Sequence, residues 1–249
     1  LSKIDTWLPK RLNVESGKTR LFCFPWAGGS ASFYYRNYMY LPNDIEICPI
    51  QIPGRETRYN ELLYTNVDDL VEDIINDLQD FFSEKDFAFL GHSMGGGIAF
   101  ELAHQLLARG LKLPEHIFLS ACTPSIETRK SRNIPIESLL MINGTPKEVI
   151  ENTELRDIYI PILEADLKLV DSIKLKPNRE KLPVPITVMG GESDELISKN
   201  ELMLWKNETN TDIEIYQFNG GHLYIKESLK SVMKVIDGTL KRVGGGLYS

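Results

Sequence analysis

The stretch that most limits what this chain can fold into is Gly91-His92-Ser93-Met94-Gly95. Phe87-Ala88-Phe89-Leu90 runs into it as a short apolar segment that reads as a buried strand. Residues 96–109 lead away from it with Ile98, Leu102 and Leu106 at helical spacing. A serine placed between strand and helix sits on a sharp turn, and glycines two places before and after it suit a turn too tight for side chains. Such a turn lifts the hydroxyl above the sheet and sets the Met94 N–H at the start of a helix, where negative charge is stabilised. Taken alone, Gly-x-Ser-x-Gly is also found in ordinary turns, so its context and its partners decide the reading.

The rest of the chain supplies a rhythm of strands and helices. Strands are expected at 19–24, 45–52, 116–121, 185–189 and 213–218 besides the one before Ser93; Pro49 points to an edge or a bulge in the second. Residues 67–82 repeat apolar side chains at i, i+3, i+4 and i+7, Gly110 stops the helix after Ser93, and a last helix covers about 227–242. This alternation predicts an α/β fold, a mostly parallel sheet with helices on both faces. One interval breaks it: 123–182 holds no convincing strand, and 136–141, 147–152 and 155–169 read as short helices. A helical insertion there would lie over the crevice at the C-terminal ends of the strands, a lid of about 123–182 within one domain spanning 1–249. The first eighteen residues read as polar and irregular, and 244–249 as a flexible tail.

With 249 residues, 42% hydrophobic and 25% charged, the chain has the composition of a soluble globular protein. Its apolar runs stay far below the ~20 residues of a membrane span. No basic segment followed by an apolar one opens it, so no secretory leader is expected. A net charge of −7 without a lysine or arginine stripe argues against a nucleic-acid partner. Cys23, Cys48 and Cys122 are odd in number and widely separated, without metal-ligand spacing. They read as small core residues in a reducing compartment, which makes the cytoplasm the expected location. Neither a metal nor a bound cofactor is expected.

A serine on a strand-to-helix elbow belongs to the α/β-hydrolase fold, where the acid and then the histidine follow it along the chain. Of four histidines, His92 lies inside the elbow, His104 falls mid-helix and His116 opens a strand. His222 remains, on the glycine-rich loop Asn219-Gly220-Gly221-His222 after the last strand, as the expected general base. The acid belongs on the loop after the preceding strand, where Asp194 is preferred and Glu192 and Glu195 compete. Its task is to hold one tautomer of the imidazole and stabilise the imidazolium. Phe24-Pro25-Trp26-Ala27-Gly28-Gly29-Ser30 follows the first strand and fits the loop that gives a second oxyanion donor; Ala27 N–H is preferred, then Trp26, alongside Met94 N–H.

Together these residues resemble the stand-alone type II thioesterases that accompany non-ribosomal peptide and polyketide synthases. The resemblance covers about 21–235 and rests on the Phe24–Ser30 segment, Pro53-Gly54-Arg55-Glu56-Thr57-Arg58, Gly91-His92-Ser93-Met94-Gly95-Gly96 and Gly220-Gly221-His222. Pro-Gly-Arg-Glu-x-Arg discriminates most, since lipases and general esterases share only the elbow. The resemblance implies a triad of Ser93, Asp194 and His222, oxyanion donors at Ala27 and Met94, and a helical lid. It also implies hydrolysis of acyl-thioesters on the phosphopantetheine arm of a carrier protein, an editing step that restarts a stalled assembly line. Trp26 stands where many relatives have Phe or a smaller residue, and is expected to narrow the cleft.

Several readings stay open at this level. Arg55 and Arg58 serve either as loop anchors, the preferred reading, or as contacts to phosphate or pantetheine. Arg129-Lys130-Ser131-Arg132 at the start of the lid is a candidate docking patch for an acidic carrier protein, or a solvated edge. A general esterase of small molecules, a non-catalytic interaction module and a thioesterase domain cut from a megasynthase remain alternatives. A monomer is the expected state.

Overall fold

The apolar segments read from the sequence pair into one sheet because each alternates two buried faces. In the computed structural model of the chain, residues 2–40, 42–124, 140, 145, 147–176, 178–211 and 213–244 are described. The strands are β1 (Thr19–Phe24), β2 (Ile45–Pro49), β3 (Phe87–His92), β4 (His116–Ser120), β5 (Ile186–Gly191) and β6 (Ile213–Phe218). They form a six-stranded sheet in the order β2-β1-β3-β4-β5-β6, every pairing parallel. This is the α/β-hydrolase arrangement, a parallel sheet with helices on both faces. Parallel strands hide both faces, which is why they read as near-continuous apolar runs.

Two cores follow from the strand period of two. Phe22, Phe24, Phe87 and Phe89 point to one face and meet α3 (Val67–Glu84) and α4 (Met94–Ala108). Leu21, Cys23, Ala88 and Leu90 point to the other and meet α8 (Ile225–Gly244) through Leu229, Val232, Met233 and Ile236. The first face carries an aromatic cluster, with Phe22 edge-on to Phe82 at 4.9 Å between ring centres. All three cysteines are buried, and none is in a disulfide.

Register places the working ends of the strands together. Phe24 pairs with Gly91, His92 with Ser120 and Gly191 with Phe218, so the loops after β1, β3, β5 and β6 leave the sheet on one side. Pro49 closes β2, an edge strand, where its missing N–H leaves no neighbour unpaired. Gly110, at φ 63°, follows the end of α4.

The amino-terminal reading needs correction. Residues 3–7 form a helix, α1 (Lys3–Trp7), started by a capping box in which the Asp5 N–H donates to Ser2 Oγ at 3.1 Å. Trp7 anchors it: the indole is buried, its Nε1–H donates to Asp77 at 3.0 Å, and Arg58 lies 4.2 Å over the ring. Leu12 then makes a two-way antiparallel bridge to Ile47, at 3.0 Å in each direction, which covers part of the open edge of β2. A further short helix, α2 (Ser32–Arg36), also lay outside the sequence expectation.

Between β4 and β5 the described residues hold α5 (Lys147–Glu151) and α6 (Thr153–Ser172), matching the helices expected at 147–152 and 155–169. The helix expected at 136–141 lies, apart from Leu140, outside the described residues, and so do Arg129, Lys130 and Arg132. The last helices are α7 (Lys199–Leu202) and α8, which runs two residues beyond the expected range at each end. No described helix is long and apolar enough to cross a membrane.

Candidate active site

The elbow is built on strain that its neighbours hold in place. Ser93 adopts φ 54° and ψ −113°, a conformation that side chains other than glycine rarely take. Its N–H donates to Ser120 O at 2.7 Å, which ties the turn to the end of β4. A Cβ on Gly91 would stand 2.1 Å from Gly95 O, and one on Gly95 would stand 2.2 Å from Phe24 O. The two glycines are therefore required by close packing of the turn on itself and on the end of β1.

His222 lies between Ser93 and Asp194. Its Nε2 is 2.9 Å from Ser93 Oγ and its Nδ1 is 2.9 Å from Asp194 Oδ2. Because an ionised carboxylate only accepts, Nδ1 carries the proton and Nε2 is left to accept from the serine hydroxyl. Asp194 Oδ1 accepts from the N–H groups of Leu196 at 2.9 Å and Ile197 at 3.2 Å, so the carboxylate is held from both ends. Its side chain is buried, whereas Glu192 and Glu195 on the same loop are exposed. The loops after β5 and β6 are joined to each other by Glu192 N–H to Phe218 O at 2.8 Å and Ser193 N–H to Gly220 O at 3.0 Å. Ser93 is half-buried.

Two backbone donors lie on adjoining segments beside this turn. Met94 is the first residue of α4, and Ala27 lies on the loop after β1; among the described residues neither N–H has a protein acceptor. Gly95 packs against Phe24 O and Pro25 O, so the helix start and this loop adjoin. Free N–H groups at a helix start beside a second loop amide are what a developing oxyanion needs.

The loop that carries Ala27 is clamped from above. Asp166, buried on α6, accepts from Gly28 N–H at 2.7 Å and takes both ends of the Arg55 guanidinium at 2.7 and 2.6 Å. Arg55 also donates to Gly29 O at 3.1 Å. Arg58 holds Gln51 O at 3.1 Å and Glu61 at 2.9 Å. Both arginines thus act as loop anchors, not as open anion contacts. Trp26 is 5% exposed, and its indole packs edge-on to Phe33 at 4.9 Å and to His92 at 5.8 Å.

The other histidines are structural in their surroundings. Burial pushes His104 and His116 down to about 4, and His116 Nε2 pairs with Thr187 Oγ1 at 2.8 Å. His92 is buried and held well below the usual imidazole range, first by burial and then by the nearby His222. Among the described residues no group of His, Cys, Asp or Glu could hold a metal.

Sequence reasoning missed Asp166, Ser120 and Tyr224. Asp166 did leave a signal, a carboxylate four residues beyond Ile162 and three before Leu169 on the buried stripe of α6. Ser120 and Tyr224 left none.

Comparison with known proteins adds a family to this geometry. The Thioesterase domain model matches residues 19–240. The gramicidin S biosynthesis protein GrsT of Aneurinibacillus migulanus is 35% identical over 92% of this chain and 91% of its own. The medium-chain S-acyl fatty acid synthase thioesterase of Homo sapiens is 34% identical over 83% of this chain and 80% of its own. Among solved structures, ClbQ from the colibactin NRPS/PKS pathway superposes with a TM-score of 0.82 at 29% identity, covering 92% of this chain and 99% of that one.

Proposed function

Since the chain belongs to the thioesterase family and is a thioester hydrolase, we propose that it is a type II thioesterase that clears acyl groups from the phosphopantetheine arm of carrier proteins in non-ribosomal peptide or polyketide synthesis. The observation that carries this reading is the unbroken hydrogen-bond chain from Ser93 through His222 to Asp194. Relatives named for gramicidin S biosynthesis and for the colibactin pathway support the setting.

In this reading Ser93 Oγ attacks the thioester carbonyl as His222 Nε2 takes its proton. The N–H groups of Ala27 and Met94 stabilise the oxyanion; losing one such donor typically costs about 10²–10³ in turnover. Collapse of the tetrahedral intermediate expels the pantetheine thiol, which receives the proton back from His222. Water, deprotonated by the same imidazole, then attacks the acyl-serine and releases the carboxylic acid and the free serine. Asp194 keeps Nδ1 protonated throughout and balances the imidazolium. The steps need no cofactor or metal held by this chain, because the phosphopantetheine arrives on the substrate. The carrier protein is the proposed partner, met by a monomer in the cytoplasm, and Arg129, Lys130 and Arg132 are proposed to receive its acidic face.

Steady-state hydrolysis of acetyl-, aminoacyl- and longer acyl-carrier substrates, each beside the matching coenzyme A thioester, tests the proposal. Carrier-bound groups are expected to give the higher kcat/KM, and reversing the three basic charges is expected to lower it for them while sparing coenzyme A thioesters. Equal rates on both forms, with oxygen esters turned over as fast, would make the chain a general esterase.

A further inference from the structure

Behind the imidazole lies a second buried hydrogen-bond chain that the reaction itself does not use. His92 Nε2 stands 2.9 Å from the backbone oxygen of His222, and His92 Nδ1 stands 2.8 Å from Ser120 Oγ. Ser120 Oγ in turn stands 2.5 Å from Tyr224 OH. Ser120, His92 and Tyr224 are all buried away from water.

The direction of every link follows from one fact: a carbonyl oxygen only accepts. His92 therefore carries its proton on Nε2 and donates to His222 O. Its Nδ1 is then a lone pair, so Ser120 O–H donates to it. With that proton committed, Ser120 Oγ accepts from Tyr224 O–H. The chain runs one way, from Tyr224 through Ser120 and His92 to His222, and each buried group has its partner. The ring cannot slide, because Trp26, Tyr224 and the His222 ring surround it at 5.8, 5.7 and 5.8 Å. Burial keeps it neutral, as the one-way chain requires.

Ser120 joins this chain to the nucleophile. Its carbonyl accepts the Ser93 N–H at 2.7 Å while its hydroxyl orients His92. One residue at the end of β4 thus holds the elbow by its backbone and, through His92, the loop that bears the base. We propose that His92 and Ser120 are positioning residues that set the spacing between Ser93 Oγ and His222 Nε2, an assignment that rests on reading Ser93, His222 and Asp194 as the hydrolytic site. Neither touches the reacting atoms.

The test compares kcat and KM for acetyl-carrier hydrolysis in Ser120→Ala, His92→Phe, His92→Gln and Ser93→Ala, with circular dichroism as the check on folding. Ser120→Ala removes the donor to Nδ1, so His92 is free to take the tautomer that points a lone pair at His222 O. A loss of about 10-fold in kcat at unchanged KM is expected, since misplacing a base by a fraction of an ångström is costly. His92→Phe fills the space without polar atoms and is expected to lose about 10–100-fold in kcat. His92→Gln restores both a donor toward His222 O and an acceptor for Ser120, and is expected to return kcat to within about threefold. Wild-type kcat in folded Ser120→Ala overturns the proposal, as does a Gln variant no better than Phe. If Ser93→Ala itself keeps its activity, the site reading fails, a result distinct from failure of the positioning chain. Should His92→Phe not fold, Ser120→Ala alone decides.

Discussion

Glu192, Asp194 and Glu195 stand within four residues of one another, yet a single carboxylate turns inward. Asp194 meets His222 Nδ1 and two loop amides, while its neighbours stay exposed. Asp194→Asn is expected to lower kcat about 10⁴-fold by leaving the wrong imidazole tautomer, whereas Glu192→Gln and Glu195→Gln stay within about twofold. Hydrolysis rates measured with thermal unfolding check this, and a large loss in either glutamate variant would reassign the acid. At this scale the sequence was unevenly legible. Ser93 and His222 stood out because a tight turn demands its glycines and because chain order limits the base to one histidine. The acid did not, because nothing local separates three carboxylates on one loop; only the backbone path through Ile197 does. His92 was visible as an elbow residue, but its contacts with His222 O and Ser120 join segments 28 and 130 positions away, beyond the reach of any periodicity.

Helix α6 carries a second lesson, about elements. Its position in the chain followed from the missing strand between β4 and β5, and its length from apolar spacing. Its attachment did not: Asp166 reaches from this helix to Gly28 N–H and Arg55, a contact set by tertiary packing. Removing one partner of such a buried pair leaves an unpaired charge and typically costs about 3–5 kcal/mol, while replacing both with apolar residues costs far less. Arg55→Leu and Asp166→Leu are each expected to destabilise the chain by that amount in urea unfolding, and the double variant by less than either. A double variant destabilised by the sum of the two would show that the pair acts independently of its charge. Helix α1 was missed for a related reason. Five residues with a capping box are too short to stand out, and Trp7 settles only because Asp77 and Arg58 meet it.

Across the whole molecule, parallel register does most to make the site, because it brings four loops to one side of the sheet. That much was legible from strand-helix alternation alone. The same burial sets the response to acid. His104 and His116 titrate at about 4 when folded but near 6.5 when unfolded. Below pH 6.5 the unfolded chain binds protons that the folded one refuses, so their stabilisation is complete above that value and falls away toward pH 4. Urea midpoints are expected to drop steadily from pH 7 to pH 4.5, and a flat profile would contradict it. The convergence of Ser93, His222 and Asp194 on one reaction is tested most directly by treating the chain with a serine-reactive phosphonate and mapping the adduct by peptide mass spectrometry. One adduct per chain on Ser93, forming in step with loss of thioester hydrolysis and slowed by His222→Ala, is the expected result. Modification elsewhere, or full hydrolysis by a chain fully labelled at Ser93, would contradict it.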